Sequence, residues 1–161
     1  MAETPDTLVA GDRTFRVRRA RRDDVPAVVA LLRADPVSAT REQAPDEAYL
    51  RAFEEVDADP RHLLAVVVGD DDRPVATAQL MLLPHLSRGG ATRLQVEAVQ
   101  VGSQARGTGL GTALMEWAHA WGRAHGATLV QLTSDVTRTD AHRFYERLGY
   151  TRSHAGFKRP L

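Results

Sequence analysis

The stretch "VQVGSQARGTGLGTALMEWAHAW", residues 99 to 121, constrains this chain more than any other. A strand-like run ends, glycines fall at 107, 109 and 111, and a helical pattern begins with them. From Leu110 the apolar residues Ala113, Leu114, Trp117, Ala118 and Trp121 follow at spacings of three and four, the stripe of a helix laid on a sheet. Arg123 and His125 fall in the last turn and Gly126 follows, a favourable C-terminal arrangement. Gly122 inside the helix costs about 1 kcal/mol relative to Ala.

The first turn of such a helix has about four N–H groups without intrahelical partners and an effective charge of about +0.5, so it suits a phosphate-type anion. Glycines at 107, 109 and 111 let an anion approach the backbone without meeting a Cβ, and Arg106 adds positive charge. A nucleotide-triphosphate loop needs Lys and then Ser or Thr after its last glycine, whereas Gly111 is followed by Thr112 and Ala113. A dinucleotide fingerprint needs a glycine where this chain has Thr112.

Elsewhere the pattern alternates between two periods. "TFRVRRA" reads as a strand with Phe15 and Val17 on one face and Arg16 and Arg18 on a solvated one. "RRDDVPAVVALLRAD" reads as a helix, with Asp23 or Asp24 as cap and Pro26 in the first turn. A second, acidic helix begins near Pro45. "HLLAVVV" and "PVATAQLMLL" read as strands joined by the turn "GDDDRP", and the loop "PHLSRGGATR" leads to the strand "LQVEAVQV". After the glycine helix come a strand "TLVQLTS", a helix "TDAHRFYERLG" and a last strand from Tyr150. The order β α α β β β α β α β predicts a single α/β domain with a mixed sheet flanked by helices, over residues 13–161, preceded by a flexible segment, 1–12.

The totals narrow the chemistry. The length of 161 residues suits one domain. Lys plus Arg and Asp plus Glu each number 21, so no strong global field draws in nucleic acid or membrane. There is no cysteine, which removes disulfides and thiolate nucleophiles. No apolar run approaches the about 18 residues of a membrane span, and the N-terminus lacks a leader pattern. A cytoplasmic protein is expected. The histidines show no metal-ligand spacing, so no metal is expected; His85 and His154 are candidates to line a pocket.

Two motifs carry a resemblance. Arg106-Gly107-Thr108-Gly109-Leu110-Gly111 matches R/Q-x-x-G-x-G/A, and "AHRFYERLGY", residues 141 to 150, matches A-x-x-F-Y-x-x-x-G-F/Y. On these, the chain resembles the GCN5-related N-acetyltransferase (GNAT) superfamily over about residues 14 to 159. The resemblance implies a mostly antiparallel central sheet and acetyl-CoA as cosubstrate. It implies that Val99, Gln100 and Val101 hold the pantetheine arm, and that Arg106, Gly107, Thr108, Gly109, Leu110, Gly111 and Thr112 hold the phosphates. Arg138 stands where many relatives have Asn. A homodimer is compatible with the resemblance.

Acetyl transfer to a primary amine poses two proton problems. At a pKa near 10.4 only about one amine in a thousand is neutral around pH 7, and a thiolate leaves better when protonated. Glu97, in an apolar strand where partial burial is expected, is the candidate base, acting through water. Tyr145, on the face of Ala141, Phe144 and Leu148, is core on periodicity alone; the resemblance makes it the general acid. The alternative is a non-catalytic acyl-CoA-binding sensor or scaffold. A third reading, nucleic-acid binding through "RTFRVRRARR", competes with the solvated strand face. The acidic segment with Glu42, Asp46, Glu47, Glu54, Glu55, Asp57 and Asp59 is a candidate attractor for a small-molecule or peptide amine.

Overall fold

Apolar alternation and short turn signals build six strands into one sheet. The computed structural model describes residues 7–161 and divides into a unit ending at Gln131 and a second, Leu132–Leu161. In the first unit, β1 (Thr7–Ala10), β2 (Arg13–Arg19), β3 (His62–Val68), β4 (Pro74–Pro84), β5 (Thr92–Val101) and β6 (Ala127–Gln131) lie side by side in chain order. Every neighbouring pair is antiparallel except β5 and β6, which are parallel and joined by a helical crossover.

The helices are α1 (Val25–Arg33), α2 (Asp46–Ala58), α3 (Ser87–Gly90) and α4 (Leu110–Ala124). α3 is a single turn broken by positive φ at Arg88 (56°) and Gly89 (70°). One sheet face packs Val66 and Val68 against Val25, Val28 and Val29 of α1 and Phe53 of α2. The other face carries the fully buried Ala65, Val67, Ala78 and Leu80. α4 covers that side with the buried Leu110, Leu114, Trp117, Ala118 and Trp121, the stripe its spacing predicts.

Four expectations are corrected. Residues 1–12 are not all loose, because Leu8 and Ala10 bury and Thr7–Ala10 pairs with β2; residues 1–6 lie outside the described residues. The strand expected to run to Ser134 ends at Gln131. Arg18 is not solvated: only 16% of its side chain is exposed, because NH1 and NH2 donate to Asp24 Oδ2 and Oδ1 at 2.6 and 3.1 Å. The carboxylate of Asp24 also accepts from Arg21 N at 2.7 Å, which closes the turn leading into α1. Finally, no strand forms from Tyr150. Most side chains there are polar, Gly156 and Pro160 disfavour a ladder, and every residue from Thr151 to Leu161 is exposed.

The second unit holds α5 (Thr139–Arg147). His142 ties it locally: Nε2 donates to the Asp135 carbonyl at 2.8 Å and Nδ1 accepts from Arg152 NH2 at 2.8 Å. Arg143 pairs with Asp140 one turn away.

Candidate functional site

The site begins with an irregularity in β5. Thr77 of β4 pairs with Gln100, but Gln79 pairs with Glu97, so three steps on β5 face two on β4. The extra residue lies at Ala98, whose φ of 54° is in the left-handed region that a Cβ makes costly. This bulge was missed at the sequence level. It had a signal: in "LQVEAVQV" the apolar phase runs through Leu94 and Val96, then slips to Val99 and Val101.

Just before the bulge, β5 loses its second neighbour. β6 pairs with it from Thr92 to Gln95 only, so among the described residues no strand lies along the outer edge of Glu97–Val101. The Val101 carbonyl points to that edge, where Arg106 Nε donates to it at 3.0 Å, while the next amide, Gly102 N, donates back to Val75 O of β4 at 2.8 Å. Strand alternation puts Val99 on the same outer side as Val101 and turns Gln100 toward its partner Thr77. The Gln100 side chain is buried.

The glycine loop links this edge to α4. One 3₁₀ turn, Ser103–Ala105, follows Gly102. Gly107 and Gly109 have φ of 74° and 87°, and a Cβ on either meets nothing within 4 Å. Thr108 shapes the loop from inside: its hydroxyl donates to Ala105 O at 2.7 Å and accepts weakly from Leu110 N at 3.4 Å. No side chain caps α4, whose N-cap is Gly109, so the amides of Gly111 and Thr112 lie in a first turn that has no intrahelical partners to offer them. Leu110 is fully buried and anchors the turn. The exposed Arg106 is tethered by Nε alone among the described residues.

Glu97 stands at the bulge on the α1–α2 face of the sheet. It is exposed, contrary to the expected partial burial, because β6 has ended beside it. Its Oε1 accepts from Gln95 Nε2 at 3.0 Å, and Gln95 Oε1 in turn accepts from Gln131 Nε2 at 2.6 Å. In the second unit Tyr145 is half-buried, with ring centroids of Phe144 and Tyr150 at 5.2 and 5.7 Å, both edge-on. Arg138 is the residue before α5, and its carbonyl accepts from His142 N at 3.0 Å. His154 is exposed beside Ser153, and His85 Nδ1 lies 2.9 Å from Ser87 O.

Most arginines of the basic segment are ion-paired. Arg16, Arg18 and Arg21 converge on Asp72, while Arg19 pairs with Asp57 and Arg22 with Glu54. In the acidic stretch Glu42 accepts from the Tyr49 hydroxyl at 2.9 Å. The side-chain and backbone donors of Arg61 hold Asp59 down at about 2. Among the described residues no group of three or more His, Asp or Glu is placed to hold a metal, and no helix is long and apolar enough to cross a membrane.

The strand edge of β5, the glycine loop and the start of α4 follow one another in the chain within a region that similarity to known proteins also covers. The chain matches the model of the acetyltransferase (GNAT) family over residues 25–150. It belongs to that family. Over 56 residues it is 45% identical to an aminoalkylphosphonate N-acetyltransferase of Salmonella typhimurium, covering 35% of this chain and 36% of that protein. Over 80 residues it is 32% identical to YhdJ, an uncharacterized N-acetyltransferase of Bacillus subtilis, covering 49% and 56%. The chain thus spans about a third to a half of these curated relatives. Among solved structures, a transcriptional regulator from Bacillus halodurans superposes with a TM-score of 0.86 at 35% identity, over 91% of this chain and 99% of that one. A glucosamine-6-phosphate N-acetyltransferase from Arabidopsis thaliana gives 0.77 at 24%, over 92% and 99%, a likeness of fold.

Proposed function

We propose that this GNAT protein transfers the acetyl group of acetyl-CoA to a primary amine by direct attack. One observation carries the reading: the edge of β5 that no strand pairs among the described residues is joined by one 3₁₀ turn to the glycine loop and the uncapped start of α4. A strand edge suits the amide-bearing pantetheine arm, which pairs as a strand would, with Val99 and Val101 as its partners. The helix start and Arg106 suit a diphosphate, and the space above Gly107 and Gly109 admits it. Gln100, turned toward Thr77 with its side chain buried, supports the edge from behind between Val99 and Val101.

Acetyl-CoA supplies an activated thioester when bound. The amine nitrogen forms a bond to the thioester carbonyl carbon as the carbon–sulfur bond breaks. Glu97 takes the amine proton through a water, for which its exposure leaves room. Tyr145 gives its hydroxyl proton to the departing sulfur, a role that rests on the family resemblance of the Phe144–Tyr145 pair. The aminoalkylphosphonate relative makes amines bearing a phosphonate the first acceptors to try.

The transcriptional-regulator name of the 35% identical structure favours a second reading, an acyl-CoA sensor. The two separate in one assay. The chain contains no cysteine, so every thiol released in a mixture with acetyl-CoA and an amine panel belongs to CoA. Amine-dependent release establishes the transferase. Acetyl-CoA binding with silence across aminoalkylphosphonates, amino acids, aminoglycosides and peptides overturns it in favour of the sensor.

A further inference from the structure

Gln95 is 8% exposed and sits where three strands meet in register: Met81 of β4 lies on one side and Gln131 of β6 on the other. Glu97, two residues on, shares its face. The hydrogen bonds here have one consistent direction. An ionised carboxylate only accepts, so Gln95 must turn its NH₂ toward Glu97 Oε1. That leaves Gln95 Oε1 facing Gln131, which must then present its own NH₂. Gln131 is the last residue of β6, the point at which the strand leaves β5 and the open edge begins.

We infer that Gln131 and Gln95 form a one-way amide relay that positions the general base, a reading that rests on Glu97 being that base. The relay occupies Oε1 and so selects Oε2, which has no hydrogen bond among the described residues, as the oxygen that receives the proton. A carboxylate on an exposed strand edge is otherwise free to rotate about its side-chain torsions. Two neutral amides hold it without adding a charge that would compete with a cationic acceptor. Gln95 and Gln131 touch neither reactant; they act through Glu97.

The relay has a direction, and this distinguishes it from packing. In Gln131→Glu an acceptor faces Gln95 Oε1, and either amide orientation then sets oxygen against oxygen at one end. In Gln131→Lys a donor remains. The experiment compares kcat, the KM for acetyl-CoA, thermal melting and the Gln95 side-chain ¹H–¹⁵N resonances of both variants, with Glu97→Gln alongside. Gln131→Glu is expected to lower kcat about tenfold, part of the about 10² to 10⁴ a general base contributes, with KM for acetyl-CoA unchanged and the Gln95 amide signals shifted. Gln131→Lys keeps the donor but adds a charge, and is expected to recover part of that rate. Equal loss in both variants, or wild-type kcat and unmoved Gln95 signals in Gln131→Glu, overturns the relay while a slow Glu97→Gln leaves the base intact. Wild-type turnover in Glu97→Gln overturns the base itself, and the relay with it.

Discussion

Gly122 of α4 lies so close to Leu94 of β5 that a Cβ there would come within 2.7 Å of Leu94 Cδ2. The helix accepts a residue that weakens it because that residue lets it sit down on the strand carrying the site. Leu94 is 1% exposed, so any shift of its side chain has to be made within the core.

Gly122→Ala should therefore be neutral to destabilising by about 2 kcal/mol, although Ala is the better helix former. Overpacking of about 1 to 3 kcal/mol opposes a propensity gain of about 1. Urea unfolding of the single variants and of Gly122→Ala with Leu94→Ala checks this: the two should couple favourably, and simple additivity would show that the helix is not seated on Leu94.

The glycine loop predicts a separation of stability from binding. At Gly107 and Gly109 a Cβ meets no atom, so Ala costs folding only the left-handed strain of about 1 to 2 kcal/mol. It also projects into the space assigned to the diphosphate. Titration calorimetry should show CoA affinity falling about tenfold or more, the equivalent of 1.4 kcal/mol. Unchanged affinity would move the phosphates elsewhere.

Acid should weaken the fold through Asp24. Burial acts to raise its pKa, but the donors from Arg18 and the Arg21 amide outweigh it, and the folded value lies below the ordinary one. A depressed carboxylate contributes stability that is fully present above its unfolded value, about 3.9, and lost as pH falls through the folded value. Asp24→Asn should cost about 1.5 to 3 kcal/mol at pH 7, the range for hydrogen bonds to charged groups, and flatten the decline below about pH 4. Denaturant melts at pH 7 and 3.5 measure both.

The bulge can be tested at its one strained residue. Ala98→Gly relieves the left-handed conformation, whereas Ala98→Val puts a β-branched side chain in it. The Val variant is expected to be less stable than the Gly variant by about 1 to 3 kcal/mol in thermal melts. Equal stability would mean that the bulge is not held at Ala98.

Much of this was legible in the sequence, for identifiable reasons. "HLLAVVV" became His62–Val68 because a short apolar run between turn signals has few other homes. The glycine helix began at Leu110 as its stripe required and ended at Ala124, one residue before the expected stop. What escaped depended on partners distant in the chain. Arg18 looked solvated because alternation says nothing of Asp24 and Asp72 folding onto its face. Glu97 looked half-buried because nothing in "LQVEAVQV" says that β6 ends at Gln131. The expected last strand failed where polar residues, Gly156 and Pro160 outnumber side chains able to bury.

Because β6 stops at Gln131, β5 is a single strand with two different exposures to solvent exchange. Amides bonded on either side in its first half open only with the sheet, while the outward amides beyond the bulge have no strand partner among the described residues. Occupation of the edge should therefore slow deuterium uptake at Val99 and Val101 and leave Leu94 and Val96 unaltered. The strand carries its own internal standard, so the occupancy of its open half can be read from the ratio of rates within one peptide.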